Sequence, residues 1–209
     1  MRIIDPSYEF VTPMDKESGM TILKRIELIG RTCYKSEDKI TDDSAVKFVK
    51  MLIDRDHTAM IEHCSFSVRF IASRGFHNEM VRHRIASYAA ESTRYCLYSK
   101  EQFGNELTVI KPIFFKEGSE EWEIWYKACE QAEMAYKRLT IDLKRQAQEA
   151  RSVLPLSTKN DCVMTANLRS WRNFFKLRSS PTAHPEMQQL VVPLLKECKE
   201  LIPVIFDDL

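Results

Sequence analysis

One short stretch of the chain concentrates groups that bind anions. Residues 82–95 read RHRIASYAAESTRY, which places Arg82, Arg84 and Arg94 near a histidine and several hydroxyls. Arginine suits phosphate and carboxylate groups because its planar guanidinium makes paired, charge-assisted hydrogen bonds. A pocket for a phosphate-bearing ligand is therefore one interpretation of this stretch.

A second interpretation of the stretch needs no ligand. Basic residues near the C-terminal end of a helix are favoured by the helix dipole, and Glu79 could pair with His83 one turn later. A lone Arg-His-Arg triplet is compatible with either interpretation. The full spacing is more restrictive, because seven residues separate the triplet from Ser92 and Arg94 follows two positions later. If these last two residues begin a strand, as we predict, they share one face.

Other groupings of reactive side chains are weaker candidates. His57, Glu62, His63 and His83 could ligate a metal, but the chain has neither an H-E-x-x-H motif nor a three-ligand spacing, so we expect no metal site. Five glycines in the whole chain form neither a P-loop nor a dinucleotide-fold fingerprint. Cys96 could be a nucleophile, although a cysteine in a strand is more often part of an inert core.

The elements that must position these residues indicate an α+β fold. Apolar residues recur at helical spacing in several segments and alternate in CSFSVRFIAS, which is typical of a strand. Helices are predicted over residues 20–36, 44–56, 74–84, 120–151, 159–177 and 185–201. Strands are predicted over residues 2–11 with a break at Pro6, and over 64–73, 93–99 and 107–112. The prediction is a small antiparallel sheet flanked by several helices in a single domain, residues 1–209.

Composition narrows the classes of protein that fit. Hydrophobic residues make up 44% of the chain and charged residues 29%, which is typical of a globular protein with a core. The net charge of +1 argues against a nucleic-acid-binding protein. Neither a signal peptide nor a membrane-length apolar run is apparent. Six cysteines without a C-x-x-C pair favour reduced thiols, so we expect a cytoplasmic protein without a membrane partner.

Four blocks of sequence resemble one known family. R-H-R, seven residues and then Ser is similar to the signature of the flavin-dependent thymidylate synthases. HTAMIEH (57–63), ARSVLPLS (150–157) and ANLRSWRNFFKLR (166–178) resemble three further segments of that family, and the blocks occur in the family's order.

The resemblance implies an activity and its cofactors. The family converts deoxyuridylate (dUMP) to thymidylate (dTMP) with methylenetetrahydrofolate as carbon donor, using bound FAD that NADPH reduces. It implies that FAD is held by His57, Arg82, His83, Arg84, Asn167, Arg169 and Asn173. It implies that the nucleotide pocket is lined by Glu79, Arg82, Glu91, Ser92, Thr93, Arg94, Arg151 and Arg178. It also implies a homotetramer whose sites are shared between subunits.

Two of these residues are expected to act in catalysis. Arg178 would stabilise negative charge on the pyrimidine as it becomes nucleophilic. We interpret Ser92 as a hydrogen-bond donor to the uracil, because a serine nucleophile needs a base and the resemblance commits His83 to flavin. On an ideal helix Arg169 and Asn173 share a stripe, whereas Asn167 and Arg178 lie on a different side.

Three positions depart from the family's pattern. Ala89 and Ala90 stand where relatives often carry polar side chains, and Ala59 stands where relatives can offer a hydroxyl. These departures lie at the edge of the expected site. A separate, alternative function is that of a non-catalytic nucleotide-phosphate-binding protein that keeps the arginine pocket without the redox step.

Overall fold

The computed structural model describes residues 1–101 and 104–209. These residues group into two compact units, each assembled from separate stretches of the chain. The first unit comprises Met1–Ser7, Phe70–Arg82 and Ala89–Cys162, and the second comprises Tyr8–Arg69, His83–Tyr88 and Val163–Leu209. That the whole chain is a single domain stays a prediction.

The α+β class with a small antiparallel sheet is confirmed. The helices are α1 (Lys16–Thr32), α2 (Ser44–Asp54), α3 (Arg74–Met80), α4 (Glu120–Lys137), α5 (Ala147–Ala150), α6 (Leu168–Arg178) and α7 (Pro185–Leu201). The strands are β1 (Arg2–Ile4), β2 (Ser7–Phe10), β3 (Ser65–Ser73), β4 (Ala86–Ala90), β5 (Thr108–Ile110) and β6 (Lys159–Asn167). Four strands form one sheet in the order β2-β3-β6-β4, and β1 pairs with β5 in parallel.

The core of the second unit is built on one face of α6. Its apolar residues recur every three or four positions, so Leu168, Trp171 and Phe174 are all buried. Trp171 stacks on Phe66 of β3 with ring centroids 4.7 Å apart, and its indole N–H donates to the Phe66 carbonyl at 3.2 Å. This packing fixes α6 on strand β3.

The first unit has a smaller core, which lies along α4. Ser119 caps this helix, since its hydroxyl accepts the N–H of Trp122 at 3.3 Å. The buried members of this core are Tyr98, Leu107, Val109, Cys129, Tyr136 and Ala150.

Several predicted elements are confirmed. The strand broken at Pro6 is present as β1 and β2, and the predicted strand in 107–112 contains β5. The predicted strand over 64–73 is β3, and α1, α2 and α7 lie where apolar spacing placed helices.

The helix predicted over 159–177 is wrong in its first half. Residues 159–167 form strand β6, and only the residues from Leu168 onward are helical. Every second residue of β6 is buried, namely Asn160, Cys162, Met164 and Ala166. This two-residue period is typical of a strand, but the sequence obscures it because the inward Asn160 is polar.

The strand predicted over 93–99 is also wrong. The segment forms turns, because the carbonyl of Ser92 accepts the N–H groups of Tyr95 at 3.1 Å and Cys96 at 2.9 Å. Ser92 and Arg94 therefore do not share the face of a strand. The segment between the strands predicted over 93–99 and 107–112 includes Gln102 and Phe103, which lie outside the described residues.

Two predicted helices are shorter than expected. The helix over 120–151 leaves α-geometry after Lys137 through a π turn at Arg138–Asp142, where the Thr140 hydroxyl donates to the Tyr136 carbonyl at 2.9 Å. The helix over 74–84 ends at Met80, so the Arg-His-Arg triplet follows it rather than closing it.

Within residues 1–101 and 104–209, no helix combines the length and apolarity needed to cross a membrane. The same residues contain no group of three or more His, Cys, Asp or Glu side chains placed to hold a metal ion.

Candidate active site

His83, the centre of the Arg-His-Arg triplet, is fixed from three sides within the second unit. The Nε–H of Arg178, at the end of α6, donates a 2.8 Å hydrogen bond to its Nε2. The imidazole meets the ring of Phe174 edge-on at 4.9 Å between centroids, and the Tyr88 hydroxyl donates to the His83 carbonyl at 2.6 Å. Two segments that the sequence predicts to share a site are therefore in direct contact.

The contact with Arg178 sets the protonation state of His83. An Nε2 that accepts a hydrogen bond carries no proton, so the neutral ring keeps its proton on Nδ1. Burial and then the positive charge of Arg178 lower the pKa of His83 to about 4. His83 is consequently neutral at pH 7, where it can donate a hydrogen bond from Nδ1 but cannot act as a protonated acid.

The junction between β6 and α6 supplies polar groups to a cleft beside His83. Asn167 caps α6, since its Oδ1 accepts the N–H of Ser170 at 2.8 Å. Arg169, in the first turn, forms an ion pair with Glu62 at 2.5 Å. We call this cavity of about 290 Å³ the His83 cleft, and it is lined by Glu62, His83, Arg84, Ile85, Ala86, Met164, Asn167, Arg169, Ser170 and Asn173.

Five of the seven residues predicted to bind FAD thus line one cleft. The expectation that Asn167 faces away from Arg169 and Asn173 is wrong. Asn167 has extended backbone dihedrals and stands before the helix, so ideal helix geometry does not describe its direction.

The other two residues predicted to bind FAD lie elsewhere. Arg82 is exposed and belongs to the first unit. His57 lines a separate, largely apolar cavity of about 240 Å³ in the second unit, together with Gly30, Cys33, Tyr34, Leu52, Ala59 and Met60.

Ile85, at the edge of the His83 cleft, has a strained backbone. Its φ is +64°, in the left-handed region that a β-branched residue rarely adopts, and its side chain is 80% exposed. Such strain is typical of functional segments, where the surrounding structure holds a residue in an unfavourable conformation. The backbone at Ile85 is therefore held in this conformation at a cost in stability.

Ser92 opens a turn in the first unit. Its carbonyl accepts the two N–H groups described above, and its Oγ accepts the N–H of Arg94 at 3.3 Å. A serine oxygen that accepts in this way keeps its own proton for donation. This geometry suits the predicted role of Ser92 as a donor.

Two arginines line another cavity in the first unit. Arg74 and Asn78 lie one turn apart on α3 and face the same cavity as Thr93 and Arg151. We call this cavity of about 300 Å³ the Arg151 cleft, and its remaining lining residues are Ser152, Leu154, Pro155 and Leu156. Two guanidinium groups, an amide and a hydroxyl are a suitable donor set for a phosphate.

Glu91 lines a larger cavity of about 680 Å³, the Glu91 cleft, with Ala89, Ala90, Tyr98, Thr108, Lys159 and Asp161. Its carboxylate is held by Lys159 at 2.5 Å and by the Tyr98 hydroxyl at 2.8 Å. Burial and the Glu91 charge raise the pKa of Tyr98, so this hydroxyl keeps its proton.

The remaining residues predicted for the nucleotide are distributed as follows. Arg94 is exposed and donates from Nε to Gln148 at 3.2 Å. Glu79 lies on α3 and Arg82 just after it, both in the first unit, whereas Arg178 belongs to the second.

Cys96 is poorly suited to be a nucleophile. Burial and then the charge of Glu91 raise the pKa of its thiol, which keeps the thiol protonated at neutral pH. The interpretation of Cys96 as an inert residue therefore agrees with its surroundings.

The donor set of the His83 cleft fits a flavin dinucleotide. The guanidinium groups of Arg84 and Arg169 suit a diphosphate, and the carboxylate of Glu62 suits a ribose hydroxyl. Ligand pockets usually measure about 300–1,000 Å³, so this cleft would hold only part of a molecule as large as FAD.

Sequence reasoning missed several residues of these clefts. Glu62 was considered only as a metal ligand, and its partner Arg169 is 107 positions away in the chain. Arg74 and Asn78 have helical spacing on α3, which is a usable signal, but nothing in the sequence shows which side of α3 faces a cavity. Lys159 was assigned to a helix and so could not be linked to Glu91.

The fold and the clefts together define the class of this protein. It is an α+β protein whose clefts group arginine and amide donors suited to anionic ligands, and it has no glycine-rich phosphate loop.

Comparison with known sequences identifies the family. The family model described as "Thymidylate synthase complementing protein" matches residues 19–204. The flavin-dependent thymidylate synthase of Mycolicibacterium vanbaalenii is 32% identical over 211 residues, covering 93% of this chain and 81% of its own length. That of Corynebacterium aurimucosum is 32% identical over 88% of this chain and 78% of its own length. The chain belongs to the thymidylate synthase complementing protein family, whose matched members are flavin-dependent thymidylate synthases.

Solved structures show the same fold. Thymidylate synthase X (ThyX) from Helicobacter pylori, crystallised with FAD and dUMP, superposes with a TM-score of 0.74 at 22% identity, covering 97% of this chain and 98% of its own. The UMP/dUMP methylase PolB from Streptomyces cacaoi, bound with 5-Br dUMP, superposes with a TM-score of 0.76 at 22% identity, covering 99% and 96%.

Proposed function

We propose that this protein methylates dUMP to thymidylate, with methylenetetrahydrofolate as carbon donor and NADPH as reductant of bound FAD. The observation that carries the proposal is the 2.8 Å hydrogen bond from Arg178 to His83, which joins the signature triplet to the end of α6. Family membership and relatives that bind FAD and dUMP support it.

The His83 cleft is the proposed flavin site. Arg84 and Arg169 would bind the diphosphate, Asn167 and Asn173 would bind polar edges of the cofactor, and His83 would donate from Nδ1. Bound FAD would supply the hydride that completes the methyl group. His57 and Arg82 stay predicted flavin contacts that lie outside this cleft.

The nucleotide is proposed to bind at the arginines and hydroxyls of the first unit. Arg151 and Thr93 line one cleft and can bind its phosphate together, and Arg74 adds a second guanidinium there. Ser92 would donate to the uracil, while Arg94, Arg82 and Glu79 stay predicted contacts.

Arg178 is proposed to stabilise the negative charge that develops on the pyrimidine. Its Nε–H is used by His83, which fixes the plane of the guanidinium. The charge of a guanidinium held in this way would be preorganised to stabilise the developing anion.

A homotetramer with shared sites is proposed for the assembly. The His83 cleft measures about 290 Å³, which is too small to enclose FAD alone. Light scattering of the purified protein is expected to give the mass of four chains, and a fully active monomer would contradict the shared site.

The absorption spectrum of the purified protein tests the flavin site most directly. We expect the protein to copurify with FAD, or to take it up, and to oxidise NADPH when dUMP and the folate are present. A protein that stays colourless with excess FAD would contradict the proposal. If such a protein still binds dUMP, it is the non-catalytic nucleotide-phosphate-binding protein instead.

A further inference from the structure

Glu91 is anchored to strand β6 by both its side chain and its backbone. Lys159 Nζ lies 2.5 Å from Oε2 of Glu91, and the Tyr98 hydroxyl donates to Oε1 at 2.8 Å. The backbone N–H of Glu91 donates to the Asp161 carbonyl at 2.8 Å. All four residues belong to the first unit. Both oxygens of the carboxylate are thus used inside the protein.

The residue held in this way immediately precedes the turn at Ser92. That turn, residues 92–96, is called the Ser92 turn. It is held by three hydrogen bonds, in which the N–H groups of Tyr95 and Cys96 donate to the Ser92 carbonyl and that of Arg94 donates to its Oγ. An irregular turn has no ladder of hydrogen bonds to fix its start. The anchored Glu91 therefore fixes the position of Ser92, the next residue in the chain.

The ion pair of Glu91 and Lys159 is largely shielded from solvent, so its loss should have a measurable cost. The side chains are 14% and 23% exposed, whereas those of the Lys111–Glu117 pair in the same unit are 40% and 70% exposed. Exposed pairs contribute little because water and salt screen them. Removing one partner of a shielded pair is costly, because the other charge is left poorly solvated.

We propose that Glu91 and Lys159 are positioning residues, which hold the Ser92 turn in the geometry that binds dUMP and do not contact the nucleotide. This inference rests on the proposed function, and it replaces the expected contact of Glu91 with the nucleotide.

The first test compares Lys159→Met with the matched control Lys111→Met, using the Kd for dUMP measured on the FAD-loaded protein. Lys159→Met is expected to weaken dUMP binding about tenfold, the effect of one charge-assisted hydrogen bond. Lys111→Met is expected to change it by less than about twofold. Exchanging the charges, with Glu91→Lys and Lys159→Glu together, is expected to restore part of the affinity. Wild-type affinity in Lys159→Met would overturn the proposal.

The second test asks whether the effect passes through Ser92. In a Ser92→Ala background, Lys159→Met is expected to weaken dUMP binding by clearly less than tenfold, since one of the groups that the anchor positions is gone. A merely destabilised fold, or a direct contact of Glu91 with the nucleotide, would instead give the same tenfold loss in both backgrounds. That result would also overturn the proposal.

The third test needs no ligand and separates this inference from the proposed function. Amide hydrogen exchange at Tyr95 and Cys96 reports the turn directly, and it is expected to be about tenfold faster in Lys159→Met than in Lys111→Met. If wild-type protein fails to bind dUMP, the proposed function fails, and exchange alone then decides whether the anchor exists. Unchanged exchange would show that it does not.

Discussion

The His83 cleft and the Ser92 turn hold their polar groups by different means. In the His83 cleft Asn167, Arg169 and Asn173 stand at the junction of β6 and α6, where the backbone hydrogen bonds of regular elements fix them. The Ser92 turn has no such frame and depends on the side chains of Glu91, Lys159 and Tyr98. Because of this difference, the loss of one side chain should leave the backbone of the His83 cleft unchanged, whereas it should deform the Ser92 turn.

The largest expected effect is a loss of turnover when the hydrogen bond between Arg178 and His83 is changed. Arg178→Lys keeps the charge but loses the planar fork that His83 holds. Turnover is expected to fall about 100- to 1,000-fold, as when an oxyanion-hole donor is removed. FAD should stay bound, because donors of the cleft such as Asn167 and Arg169 are unchanged.

Turnover and FAD absorbance of the same preparation check this prediction. Arg172→Lys is the matched control, since Arg172 lies on α6 but binds Asp208 at 2.6 Å outside the cleft. Equal turnover in Arg178→Lys and wild type would remove Arg178 from catalysis.

The next effect tests the Ser92 turn. Ser92→Ala removes the proposed donor to the uracil and the acceptor for the Arg94 N–H. Loss of one hydrogen bond costs about 1–3 kcal/mol, so the rate should fall about 10- to 100-fold. Steady-state rates of thymidylate formation measure this fall. If the variant binds FAD and dUMP normally but yields no detectable product, Ser92 is the nucleophile.

The pH dependence of stability tests the neutral state of His83. Its folded pKa of about 4 lies below the ordinary 6.5, so the unfolded chain binds more protons between these values. The stabilising contribution is therefore complete above pH 6.5 and is lost as the pH falls toward 4. Between pH 7 and about pH 4.5, wild type should lose about 2 kcal/mol more than a variant without this group.

His83→Gln is that variant, because a glutamine oxygen can accept from Arg178 and does not titrate. Urea denaturation of both proteins at the two pH values measures the difference. Parallel losses would mean that His83 does not titrate as its surroundings indicate.

The smallest effect concerns the strain at Ile85. Ile85→Gly removes the left-handed strain of an exposed side chain, so the free energy of unfolding should rise by about 0.5–1 kcal/mol. FAD binding should weaken, since the apolar edge of the cleft is lost. Ile40→Gly is the control, because Ile40 has an ordinary φ of −74° and should be destabilised by glycine. Urea midpoints and an FAD titration separate the two effects, and destabilisation of both variants would remove the strain argument.

The residues of the His83 cleft were predictable from the sequence because their signal is local. The apolar spacing of Leu168, Trp171 and Phe174 predicts α6, and the family's motif then places Arg169 and Asn173 on it. The sequence did not predict strand β6, because its inward residues include the polar Asn160 and the small Ala166.

The anchor of the Ser92 turn was not predictable, because its parts are far apart in the chain. Lys159 and Glu91 are separated by 68 positions, and neither residue type indicates a partner. The turn itself forms through backbone N–H groups and a serine oxygen, which give no periodic pattern.

Asn167 has a single amide group, which both caps α6 and lines the His83 cleft. The oxygen accepts the Ser170 N–H as a helix cap, which leaves both N–H groups of the amide to donate toward a ligand in the His83 cleft. Aspartate caps helices as well as asparagine does, but it has no proton to donate. A carboxylate here would keep α6 intact while presenting an anionic cofactor with a repulsive charge. Secondary structure can therefore tolerate either residue at this position, whereas the proposed flavin site requires the amide.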